Sequence, residues 1–130
     1  MNAIAYIRYA SKNIEDHIEI GDNPEENDIK DYCTANHINL CETFQDIGVS
    51  GADFERKGWR QLETYLDGVE GFIELLIVPD YDRINRNAFE RIGKMEFLQN
   101  IHGLTIIALS DTHIPDGEEL RKLLLDVNRE

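Results

Sequence analysis

Four short apolar blocks alternate along this chain with segments whose apolar residues recur at helical spacing, and that alternation restricts the fold more than any other feature. The blocks are Ala3 to Tyr9, Ile38 to Asp46, Glu74 to Val78 and Leu104 to Leu109. Strands separated by whole helices cannot pair as hairpins, so the expected fold class is α/β with a largely parallel sheet flanked by helices. Pro24 stands where a helix can start and run through Ile29, Tyr32 and Cys33. Trp59, Leu62, Tyr65, Leu66 and Val69 form the stripe of a second helix, closed by Gly71. Phe89, Ile92, Met95 and Leu98 are read as one face of a third helix ending near Gly103, and Leu120, Leu123, Leu124 and Val127 as a short C-terminal helix.

The 130 residues suffice for one hydrophobic core, so residues 1–130 are expected to form a single domain. Asp and Glu outnumber Lys and Arg by 26 to 13, a formal charge of −13, which excludes a self-sufficient nucleic-acid binder. Any contact with DNA must be local to a basic patch or supplied by a partner. No apolar run reaches membrane length and the start carries no basic leader, so a soluble cytoplasmic protein without a membrane partner is expected. Cys33 and Cys41 are too few for a disulfide scaffold or a thiolate zinc site and read as small buried residues. His17, His37, His102 and His113 lack ligand spacing, and no phosphate-loop or dinucleotide glycine pattern occurs, so no metal or cofactor is expected.

In parallel sheets, function gathers where strands end. Three polar clusters fall there: Arg8 to Ser11, Asp46 to Arg56, and Asp80 to Arg86. Arg8, Arg56, Arg83 and Arg86 all lie in them, although the chain is acidic. Guanidinium groups match phosphate oxygens in pairs, so convergence of these four would build an anion site. Pairing of each with a neighbouring carboxylate is the alternative. The acidic run from Glu15 to Asp31 reads as a solvated helix face.

Three segments carry a resemblance: Ala5 to Ser11 (AYIRYAS), Asp46 to Gly51 (DIGVSG) followed by Arg56, and Asp80 to Asn87 (DYDRINRN). In order and spacing they resemble the motifs of the resolvase/invertase family of serine site-specific recombinases across the whole chain. The resemblance implies the family's catalytic-domain fold, a mixed, mainly parallel sheet of four or five strands flanked by helices. It implies site-specific DNA recombination, in which a serine hydroxyl attacks the scissile phosphate to give a 5′-phosphoseryl intermediate without metal or nucleotide. Carried over by motif, Arg8, Arg83 and Arg86 hold the phosphate, Arg56 assists them, and Asp82 orients an arginine or helps proton transfer. The implied partners are DNA, through its phosphate backbone and only weakly for this chain alone, and a second copy or a recombinase subunit.

The departures are specific. The family's serine stands two residues after the first-strand arginine, where this chain has Ala10, and Ser11 follows. Ser11 replaces it only if the strand ends before it, because adjacent strand residues point to opposite faces. Ile14 and Gly21 stand where the family usually carries glutamines, and the separate basic DNA-binding region expected after the last helix has no counterpart up to Glu130. The competing expectation is therefore a recombinase-like interaction or regulatory module that does not cut DNA.

Overall fold

A computed structural model of the chain describes residues 1–9, 24–47, 56–69 and 71–127. The elements follow in the order β1 (Asn2–Tyr9), α1 (Pro24–Ala35), β2 (Asn39–Ile47), α2 (Lys57–Gly68), β3 (Leu75–Val78), α3 (Ala88–His102), β4 (Thr105–Ala108) and α4 (Gly117–Val127). The four strands form one sheet in the order β2-β1-β3-β4, and all three ladders are parallel. No helix among the described residues is long and apolar enough to cross a membrane.

Alternation along the strands divides the core into two layers. Ile4, Tyr6, Leu76, Val78, Ile106 and Ala108 face one side, where they meet Trp59, Leu62 and Leu66 of α2 and Leu98 of α3. Ala3, Ala5, Ile7, Leu75, Ile77 and Ile107 face the other, against Ile29 and Cys33 of α1 and Leu120 of α4. Central strands covered on both faces need unbroken apolar runs, and the complete burial of Ala3 to Ile7 and of Leu75 to Val78 meets that need.

Helices on opposite faces follow from the handedness of parallel crossovers. The connection from β1 to β2 steps one way along the sheet through α1, while those from β2 to β3 and from β3 to β4 step the other way through α2 and α3. The strand order therefore reverses between β1 and β3, and a crevice opens at their carboxyl ends.

The stripe assigned to α3 does not lie on one face. Leu98 is buried and Met95 packs against the core, but Phe89 is 87% and Ile92 56% exposed. A three-residue step falls about 60° short of a helical turn, so repeating it from Phe89 to Leu98 carries the stripe halfway round the helix. In α4, Leu120 and Leu124 point inward while Leu123 is exposed. Cys33 is buried as expected, whereas Cys41, on the edge strand β2, is only partly so.

Candidate functional site

Arg8, the penultimate residue of β1, stands beside the crevice, in register with Asp46 of β2. Although ionic, it is only 3% exposed. Its Nη2 donates to the Asp82 carbonyl at 3.2 Å, while its Nε and Nη1 are buried and have no hydrogen-bond partner among the described residues. Burial, followed by the positive fields of Arg86 and Arg56, lowers its pKa, with Arg83 adding to the effect. Among the described residues this buried cation has open donors and cationic neighbours, an arrangement that favours an anion beside it.

Facing it, the segment after β3 forms a 3₁₀ turn, Tyr81–Arg83, and its position is over-determined. Arg56, 4% exposed, precedes α2 and reaches across to donate to the carbonyls of Arg83 (3.2 Å) and Ile84. Its guanidinium lies over the rings of Tyr6 and Trp59, at 5.5 and 5.7 Å from their centres. Arg83 donates back to the Arg8 carbonyl at 2.5 Å and grips Glu25 through both Nη atoms, at 3.1 and 2.8 Å. Its Nε bonds Asp80 at 3.2 Å. Asp82 is exposed and accepts from Arg91 at 2.9 Å, and Arg86 is exposed at the rim. The buried Asn85 bonds Glu90 and the amide of Asn87, whose side chain in turn caps α3 by accepting from the Glu90 amide.

Asp46 fixes the other wall. Its carboxylate, 6% exposed, accepts the Tyr6 hydroxyl at 2.6 Å and the first amides of α2, from Gly58 at 2.7 Å and Trp59 at 3.0 Å. A carboxylate at a helix N-terminus satisfies orphan amides and the helix dipole together. Gly58 is needed there, because a Cβ on it would stand 2.2 Å from the Gln45 carbonyl oxygen. Tyr6 stacks edge-on to Trp59 with centroids 5.0 Å apart, and burial, then the Asp46 bond, raises its pKa far above that of a free phenol.

The structure thus brings Arg8, Arg56, Arg83 and Arg86 to one crevice, with different partners for each. Arg8 keeps open donors, Arg83 is bound by two carboxylates, and Arg56 braces backbone. Asp82 meets Arg8 through its carbonyl and Arg91 through its carboxylate. Ala10, Ser11, Ile14, Gly21 and the glycine-serine stretch from 48 to 51 lie outside the described residues. Sequence reasoning missed Glu25, hidden within an acidic run, and Arg91, one helical turn past Asn87. It quoted Asp46 without seeing that it caps α2. Among the described residues no cluster of three or more His, Cys, Asp or Glu side chains suits a metal ion.

A family model described as "Resolvase, N terminal domain" matches residues 3–129. None of the curated proteins compared matches the chain. Among solved structures, the N-terminal catalytic domain of TP901-1 integrase is 18% identical, with a TM-score of 0.66 over 98% of this chain and 94% of that one. A resolvase family site-specific recombinase from Streptococcus pneumoniae is 16% identical, with a TM-score of 0.69 over 98% and 83%. A serine recombinase from Sulfolobus solfataricus is 24% identical, with a TM-score of 0.56 over 96% and 78%. At these identities the likeness is one of fold.

Proposed function

The chain belongs to the family of resolvase N-terminal domains, and from that premise we propose that it serves DNA strand exchange, with the Arg8 centre as the seat of the scissile phosphodiester. The supporting observation is Arg8 itself, buried at 3% exposure with Nε and Nη1 unpartnered among the described residues and other arginines raising the local potential. A phosphodiester oxygen would supply the missing acceptors and the missing charge together. Arg86 at the rim meets the same phosphate, and Arg83 turns to it when the phosphodiester binds. Arg56 keeps the turn in place, and Asp82 positions Arg8 through its carbonyl. Ser11, three residues beyond Arg8, is the proposed nucleophile. Its hydroxyl passes its proton to water as the oxygen bonds to phosphorus, while the deoxyribose oxygen leaves and takes a proton back from water, so no net proton is gained or lost. DNA and a second recombinase subunit are the partners this reading implies.

One sequence observation favours a second reading, a recombinase-like module that binds without cutting: Ala10 occupies the place of the family's serine. A single experiment separates the two. The protein is mixed with a labelled pool of random-sequence duplexes at one fixed, moderate ionic strength, which screens long-range repulsion by the acidic surface more than close phosphate contacts. Binding is followed by anisotropy, and detergent-resistant adducts are mapped by mass spectrometry. Strand exchange predicts binding weakened about tenfold or more by Arg8→Gln and an adduct on Ser11 that Ser11→Ala abolishes. Arg8-dependent binding without an adduct selects the second reading, and binding indifferent to Arg8 overturns both.

A further inference from the structure

The fork of Arg83 is closed by a carboxylate from a distant part of the chain. Glu25, in the first turn of α1, presents both carboxylate oxygens to the two Nη atoms of Arg83, at 3.1 and 2.8 Å. That is the side-by-side geometry in which guanidinium groups also hold phosphate. The site is partly shielded, since the Arg83 and Glu25 side chains retain 23% and 28% of their exposure. Asp80 binds Nε, and Nη1 also bonds the Arg8 carbonyl, so Arg83 is tied to the same strand end that carries the Arg8 side chain.

From this geometry we infer that Glu25 is an intramolecular stand-in for phosphate, a positioning residue that holds Arg83 back from the anion centre until a phosphodiester displaces it. The inference rests on the reading of the Arg8 centre as a phosphodiester site.

Two further observations bear on it. Keeping Glu25 ionised is costly: burial raises its pKa, Asp80 and Asp28 push the same way, and Arg83 opposes them. A carboxylate so placed is held by its partner and is released if the partner is drawn to another anion. Secondly, the contact ties the start of α1 to the turn after β3, so exchange of Glu25 for phosphate would uncouple α1 from the crevice and report occupancy to the rest of that helix.

The sign of one substitution distinguishes this role from a merely structural one. Glu25→Gln keeps the size and hydrogen-bonding capacity of the side chain but removes the charge. If Glu25 competes with phosphate, Glu25→Gln tightens binding of the labelled duplex pool, and of inorganic phosphate as competitor, by about five- to tenfold. If the contact only braces the site, the same change leaves affinity unaltered or weakens it. In an Arg83→Gln background, Glu25→Gln is expected to change nothing, because the fork is gone. Thermal melting of each variant verifies that it is folded, and Glu25→Asp, which retains the charge, is to bind as the original does. Binding that Arg8→Gln abolishes but Glu25→Gln fails to tighten overturns this inference and leaves the phosphodiester reading standing. Absence of Arg8-dependent binding in both the original protein and Glu25→Gln overturns the two together.

Discussion

Replacing Asp46 tests how the crevice is held together. Asp46→Ala leaves the Tyr6 hydroxyl and the amides of Gly58 and Trp59 without an acceptor at a point where the side chain is 6% exposed. Each orphaned buried donor costs about 1–3 kcal/mol, and partial relaxation lets water or neighbouring groups recover some of it. A loss of about 3–5 kcal/mol is expected, a large share of the roughly 5–15 kcal/mol that holds a domain of this size folded. Asp46→Asn should be milder, about 1–2 kcal/mol, since the tyrosine hydroxyl can rotate to accept from the new NH₂ group while one helix amide cannot. Urea denaturation followed by circular dichroism gives both values from the midpoint and slope. The critical comparison is a double-mutant cycle with Tyr6→Phe. That change should be destabilising in the native background and neutral or stabilising in Asp46→Ala, where it removes an unsatisfied hydroxyl. Loss of less than about 1 kcal/mol in Asp46→Ala, or an equal effect of Tyr6→Phe in both backgrounds, would refute the cap. Because Arg56 immediately precedes α2, the same variant should weaken duplex binding even where it remains folded.

Gly58→Ala, which in an ordinary exposed helix gains up to about 1 kcal/mol, is expected here to cost about 2–3 kcal/mol and lower the melting temperature, because its Cβ meets the Gln45 carbonyl at 2.2 Å; a rise in melting temperature would contradict the close approach. Tyr81 and Tyr32 have pKa values raised to about 12, each chiefly by burial, with the Asp111 bond adding to it at Tyr81. Their folded pKa values lie above the unfolded value of about 10, so the stability they contribute is complete below pH 10 and is lost as pH rises towards 12. Absorbance at the tyrosinate band should show delayed ionisation of these two side chains, and urea midpoints should fall between pH 10 and 12; ionisation of every tyrosine near pH 10 without unfolding would count against it.

The sheet was legible because its information is local. Continuous apolar runs such as Leu75 to Val78 can be buried on both faces only in a covered sheet, and the intervening helices leave parallel pairing as the available arrangement. The face of α3 was not legible, because residues three apart match a helix over one turn and lose phase over three. The crevice was legible in its positions, since strand ends and arginines are both visible in the chain. Its partners were not. Nothing in the spacing from Glu25 to Arg83, 58 residues apart, reveals that they meet, and Asp46 is revealed as a helix cap only once α2 is seen to return to the end of β2.

The distribution of charge gives the crevice its meaning. In a chain with twice as many acids as bases, the default fate of an arginine is to meet a carboxylate, and Arg83 and Arg91 do so. Among the described residues Arg8 does not: its hydrogen bond goes to a carbonyl, and the charged groups that lower its pKa are arginines. Selection for stability alone would favour an apolar residue at the end of a central strand, or a carboxylate beside the guanidinium. Asp46, in register with Arg8 on the neighbouring strand, is well placed to be that carboxylate, yet its oxygens are turned to Tyr6 and to the start of α2. Among the described residues that acid is thus engaged elsewhere, and Nε and Nη1 of Arg8 are left for the phosphodiester proposed above.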